Sequence, residues 1–335
     1  MTGVKAALKR HKSILIGYTI LHSSQVRMQL AMGNFRSKTG ATHASLTLEQ
    51  SVAYIKRQFD EYLYYGQLKQ EDLKDKEILE GGPGDNLGVA LRMLAAGAKR
   101  MVCMDKFDSR HDAEQERRIY LRVRESLDPE QAKRFDEAVD LTKGIKFNPE
   151  RIQAIYGRGM EMIGDTFDKN TFDMIVSRGV IQEIFDGDRV FSGMEKALRP
   201  GGIMLHKVDL RDYGLFSGNG HNPLTFLTIP RWVYKLMAQN SDRQGRRMVD
   251  YYRGQVQKYG YDWKIYVSSV IQRGYPVPVP EVMPHKEKLT LGVDYTEDTL
   301  AMVREIRPHL QKQFQHLSDE DLMTSAIFMV ARKKA

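Results

Sequence analysis

Cysteine is nearly missing: Cys103 stands alone among 335 residues. No internal disulfide can form, and within the run MVCM a small buried side chain fits better than a reactive thiol. A reducing cytoplasm is the expected setting. Long apolar runs are missing too, since none reaches the roughly 18 residues that a membrane span needs, and no span is expected. The opening MTGVKAALKRHKSILIGYTILHSS is basic and then apolar, but its apolar piece is short, carries Gly17 and Tyr18, and lacks a small-residue cleavage site. It reads as a buried helix. No Cys/His spacing suits zinc. The formal charge of +8 is dispersed, with only RQGRR (243–247) and ARKKA (331–335) as local clusters. No recognition helix or aromatic-basic pattern accompanies it, so no nucleic-acid partner is expected.

The chain does have clear periodicity. Residues 1–70 read as a helical cap: in LEQSVAYIKRQFDEYLYYG, Leu48, Val52, Ile55, Phe59 and Leu63 recur at three- and four-residue spacings, and Gly66 suits the stop. From Lys76 onward short apolar runs alternate with longer amphipathic stretches. KEILEG (76–81), RMVCMD (100–105), IQAIYG (152–157), FDMIVSR (172–178) and GGIMLHKVD (201–209) read as strands. LGVALRMLAAGAKR, between the first two, has the period of a helix ending at Gly97. WKIYVSSV (263–270) and TSAIFMVARKK (324–334) add two more strands, separated by the proline-rich GYPVPVPEVMP and the helical TEDTLAMVREIRPHLQKQFQHL. Strands apolar on both faces, alternating with helices, predict an α/β protein. The expected fold is a Rossmann-like, doubly wound, seven-stranded and mostly parallel sheet over residues 71–335. Residues 210–262, polar and rich in glycine and tyrosine, are expected to cover a substrate, with a second, helical insertion over 271–323.

The first strand runs into ILEGGPGDNLG (78–88), a bare loop where backbone can approach a ligand and where N–H groups opening the next helix favour negative charge. A dinucleotide site wants Gly-x-Gly-x-x-Gly. Here Gly82 and Gly84 fit, but the third position is Leu87 and the glycine arrives late, at Gly88. Glu80 precedes the glycines, and Asp105 closes the second strand, placed to accept two ribose hydroxyls. Glu-x-Gly-Pro-Gly at 80–84 followed by Asp105 resembles the first two motifs of class I S-adenosylmethionine-dependent methyltransferases. FDMIVSRGVIQEIFD (172–186), LRPGGIMLHKVD (198–209) and IFMVARKK (327–334) continue the resemblance in order. It implies that Gly82 and Gly84 lie against the cofactor's amino-acid portion, that Glu80 orients its ammonium group through the loop, and that Asp105 takes the ribose. It further implies that Lys106 and Phe107 flank the adenine, that Gly159 and Met160 contact the base, and that Ser177 and Arg178 lie beside the sulfonium. Met160 serves packing equally well, and Ser177 a structural hydrogen bond.

Methyl transfer is an in-line displacement, so the protein positions the acceptor and, for a hydroxyl, removes its proton. Glu183, His206, Asp209 and His221 are the candidate bases beyond the fourth and fifth strands, with Asp212 beside them. His206, inside an apolar strand, also suits a hydrogen-bonded core. Asp209 suits a turn cap, and His221 in GNGHNPLTF a mobile lid. Arg211, Arg243, Arg246 and Arg247 are candidates for an anionic group on the acceptor. Many related O-methyltransferases carry Glu-His where this chain has Gln182-Glu183; Glu183 could ligate Mg²⁺, and metal dependence is left open. HKVDLRDYGLFSGNGHNPLTF and RQGRRMVDYYRGQVQKYGY look similar to a bacterial subgroup that modifies sugars and natural products. The expected partner is a small-molecule acceptor, a saccharide or natural product, methylated on oxygen, with homo-oligomerisation left open. Two alternatives are an NAD(P)-dependent sugar reductase or epimerase, whose Tyr-x-x-x-Lys pair occurs here only at Tyr65 and Lys69, and an inactive methyltransferase-like binding subunit.

Overall fold

The computed structural model describes residues 11–32, 40–109, 112–238, 245–273 and 285–335. Arg243 and the proline-rich segment 274–284 lie outside the described residues. Seven strands form one sheet: β1 Glu77–Gly81, β2 Arg100–Asp105, β3 Ile152–Tyr156, β4 Phe172–Arg178, β5 Leu198–Asp209, β6 Asp262–Val270 and β7 Thr324–Arg332. Their order is β3-β2-β1-β4-β5-β7-β6. Every neighbouring pair is parallel except those that β7 makes with β5 and β6. The strand order reverses beside β1, so the carboxyl ends of β1 and β4 open a crevice at the switch point.

Helices cover both faces because both faces are apolar. On one lie α1 Lys12–Ala31's neighbour in sequence, α2 Leu48–Gly66, with α3 Gly88–Ala95, α4 Ala113–Glu125 and α5 Pro129–Ala138. On the other lie α6 Gly187–Ala197 and, beyond α7 Arg231–Ala238, α8 Val249–Lys258. The helix α2 opens with a capping box, Gln50 N donating to Thr47 Oγ1 and Thr47 N to Gln50 Oε1, an arrangement worth about 1 kcal/mol. Its stop differs from the expectation. Gly66 is the last helical residue, and the left-handed cap is Gln67 at φ 51°; a Cβ at Gly66 would press on the movable end of Leu68, 3.0 Å away.

Two further expectations are corrected. The helix α1 exists but is not buried: Leu15, Thr19, Ser23 and Val26 face inward while Ile14, Tyr18, Leu21 and Met28 are exposed. And residues 210–262 are not simply a polar cover. Leu215, Phe216, Leu224, Phe226, Leu227, Tyr234 and Met237 form an apolar cluster with Met302, Val303 and Ile306 of α9 Glu297–Ile306, with Phe314, and with Leu15 of α1. Segments far apart in sequence thus share a third core. No local pattern announces such a core, because each piece contributes only a few of its side chains.

Candidate active site

The strands deliver their last residues to one edge. In the loop after β1, Gly82 and Gly84 adopt φ of +66° and +72°, backbone that side chains rarely tolerate. Asp105, ending β2, ties this loop down: Gly84 N donates to Oδ2 at 3.2 Å and Phe107 N to Oδ1 at 3.0 Å.

Two of the N–H groups that open the helix are taken by the protein itself. Leu87 N donates to Tyr120 Oη at 2.9 Å and Gly88 N to Asn86 Oδ1 at 2.8 Å. The close approaches that demand glycine also come from the protein itself. A Cβ at Gly81 would meet Met160 Sδ at 2.0 Å, one at Gly82 would meet Val180 Cγ2 at 2.3 Å, and one at Gly84 would meet Gly40 O at 2.5 Å. Gly88 is needed for packing, with Ile55 Cδ1 2.4 Å from where its Cβ would stand.

Residues 40–47 form a strap over this loop. Asp85 N donates to Gly40 O at 3.0 Å, and the Asp85 carboxylate accepts from His43 N at 3.2 Å and Ala44 N at 3.0 Å. Gln115 Nε2 holds the strap from α4 through His43 O at 2.8 Å. A cleft of about 180 Å³ remains between them, bounded by His43, Asp85, Gln115 and Glu116. Neither Gly40 nor Asp85 stood out in the sequence, since the strap is contiguous with the loop only in space.

Glu80 does not reach out of the loop. It is buried beneath the edge, its Oε2 accepting from Cys103 Sγ at 3.7 Å, and burial pushes its carboxyl up to about 7. Cys103 is itself buried, and its thiol is pushed up by burial and by Glu80. Lys106 is exposed, 3.9 Å from Glu161, and lies over the Phe107 ring. Gly159 and Met160 are buried, with Met160 lying against Gly81.

Strands β4 and β5 carry the rest. Ser177 and His206 are fully buried register partners, Oγ to Nδ1 2.7 Å, and burial pushes the imidazole down to about 3. His206 Nε2 has no partner among the described residues. One residue on, the side chains point to the opposite face. Arg178 forms an ion pair with buried Glu61 of α2 and lies over the Tyr54 ring, 5.9 Å to its centroid. Asp209 is held by Arg211, whose Nε stands 2.9 and 3.1 Å from its two oxygens. Asp212 organises the turn that follows, accepting from Gly214 N, Phe216 N, Ser217 N and Ser217 Oγ.

Gln182 is buried and donates through Nε2 to Tyr213 Oη at 2.8 Å, while its Oε1 has no partner among the described residues. Tyr213 itself sits at φ 51°, a strained conformation for a bulky residue. Burial, then Glu183 and Asp209, keep its hydroxyl well above the usual tyrosine range, so it stays protonated. The structure therefore gathers Arg178, Gln182, Glu183, Asp209 and Tyr213 at one end of the edge, and Gly82, Gly84 and Asp105 at the other. His221 lies half-buried against Phe216 in the third core, its Nε2 without a partner among the described residues. Arg246 is buried on the carbonyls of Phe226 and Ile229 within the insertion, and half-buried Arg247 donates to those of Ile184 and Phe185, tying the insertion to the segment after β4. Among the described residues no group of three or more His, Cys, Asp or Glu is arranged to hold a metal ion, and no helix is long and apolar enough to cross a membrane.

Residues 130–206 match the family model described as a methyltransferase domain. No curated protein sequence matches the chain. Among solved structures it is similar to Haemonchus contortus phosphoethanolamine N-methyltransferase 2, solved with S-adenosyl-L-methionine, at 15% identity and TM-score 0.43, covering 86% of this chain and 58% of that one. The chain thus spans little more than half of that protein's length. It is also similar to an S-adenosylmethionine-dependent methyltransferase from Mesorhizobium loti, at 11% identity and TM-score 0.39, covering 86% and 100% of the two chains. Likenesses this remote say nothing about the acceptor. Residues 130–206 thus carry the match to a methyltransferase domain, and the strand order around them is that of a Rossmann-like open sheet.

Proposed function

We propose that the protein transfers the methyl group of S-adenosylmethionine to a hydroxyl of a polar small molecule, a saccharide or sugar-containing product. The observation that carries the cofactor half is Asp105: a half-exposed carboxylate at the end of β2, locked beside two left-handed glycines near the switch point. Those oxygens suit the two hydroxyls of a ribose, and half-buried Phe107 suits one face of the adenine. When bound, the cofactor supplies a methyl group on positive sulfur, open to in-line attack.

The protein's own contribution is positioning and proton removal. Tyr213, protonated and fixed by Gln182, offers a hydrogen bond to the acceptor, and the orphaned Gln182 Oε1 offers the complementary acceptor. Glu183 and Asp209 are the carboxylates to test as base, Asp209 being held in both oxygens by Arg211. His206 suits a positioning role, because a base that burial holds neutral gains a proton only at high cost. Calorimetry with S-adenosylmethionine against NAD, followed by transfer of labelled methyl to a panel of saccharides, tests the reading. Heat with NAD alone, or no labelled product from any hydroxylated acceptor, sinks it.

A further inference from the structure

The carboxyl ends of β4 and β5 carry three cations close together: Arg178 and Lys207, which are register partners, and Arg211 just beyond β5. Arg178 is joined to Glu61 and Arg211 to Asp209, and Glu183 lies at the same end of the edge. Of the three cations, Lys207 is the one without an ion pair among the described residues. Its side chain makes no ion pair or hydrogen bond with the described residues, although carboxylates on both sides act on it electrostatically. It is only half-buried, and the flanking Arg178 and Arg211 side chains keep 15% and 23% of their exposure, so a ligand can reach the group.

A partly desolvated ammonium with no acceptor from the protein gains from a charge-assisted hydrogen bond that an anionic ligand supplies. Burial and the neighbouring Arg178 push it down to about 8, which a bound anion would reverse. We infer that Lys207, flanked by Arg178 and Arg211, receives an anionic group of the methyl acceptor, a carboxylate or a phosphate. This rests on the methyltransferase reading and narrows its substrate to an acidic derivative. The position favours the acceptor over the cofactor's own carboxylate: Lys207 is on β5, separated by β4 from the glycine loop of β1.

The test uses the full chain loaded with S-adenosylhomocysteine and inorganic phosphate as the probe. Lysine acetylation is read by peptide mass spectrometry. At phosphate roughly four times its Kd, acetylation of Lys207 should slow about fivefold, with exposed Lys264 unchanged. Calorimetric heat from phosphate should vanish in Lys207→Gln and persist in Lys207→Arg. Unchanged acetylation of Lys207 at saturating phosphate overturns the inference. So does protection by S-adenosylhomocysteine that 5′-methylthioadenosine, which lacks the amino acid, fails to give, because the cofactor's carboxylate would then be the occupant. Failure of S-adenosylhomocysteine to bind at all, seen separately by calorimetry, overturns the methyltransferase reading and takes this one with it.

Discussion

Asp105 fastens Gly84 and Phe107 through one carboxylate at the end of β2. Asp105→Asn keeps an acceptor for the backbone but loses the charge, so S-adenosylmethionine affinity should fall roughly 10- to 100-fold in calorimetry, the worth of hydrogen bonds to a charged group. Unchanged affinity would remove the central support for the proposed function. Two buried groups set opposing pH dependences. Glu80 is raised from 4.5 to about 7, so between those values the folded state holds a proton that the unfolded chain releases, and stability falls as pH rises. His206 is lowered from 6.5 to about 3, so the unfolded chain holds the extra proton and stability rises with pH across that window. The two slopes cancel between pH 4.5 and 6.5. Glu80→Gln should therefore leave a Tm that climbs with pH over this interval, and His206→Gln one that declines, in thermal melts at a series of pH values. Parallel curves for both variants and the parent protein would contradict the assignment. Asp105 and the glycines stand out in the sequence by residue type and by their places after the first two strands. The burial of Glu80 does not, since its strand neighbours look alike whichever way it points.

Helix α2 is more than a cap. Its inner face packs Tyr65 flat on Phe328 of β7, ring centroids 4.3 Å apart, and sends Glu61 to Arg178 at the end of β4. Both members of that pair are largely withdrawn from water, so removing one strands the other. Glu61→Ala should destabilise the protein by about 3 kcal/mol in urea unfolding, whereas an exposed pair such as Lys56–Asp60 should be worth well under ~1 kcal/mol. Equal small losses for the two would mean that Arg178 finds water instead. The heptad-like spacing of α2 was plain in the sequence, and so were the strands. That Glu61 belongs to the inward face was less so, for a carboxylate among Phe59, Leu63 and three tyrosines normally reads as the solvent side.

Strand β7 closes the fold by pairing with both β5 and β6, although it comes last in the chain. A chain stopped before Thr324 would leave β5 with an open edge and β6 without a neighbour. Such a truncation should aggregate or elute as a disordered species in size-exclusion chromatography, because unpaired edges template association. A monomeric, folded product would show that β7 is dispensable. What sequence alone determined here is the local order: apolar periods of strand and helix length, glycines where backbone must turn left-handed, and an acid after the second strand. These follow from interactions within a few residues, and each appears in the molecule where its pattern stands. Only the tertiary structure decided which side chains meet at the carboxyl edge, that Gly40 lies against Gly84, that α1 and both insertions share a core, and that Lys207 stands beside two paired arginines without an ion pair of its own among the described residues. Those outcomes depend on contacts between segments tens to hundreds of residues apart, and the sum of charges and volumes that settles them exists only once the chain has brought the segments together.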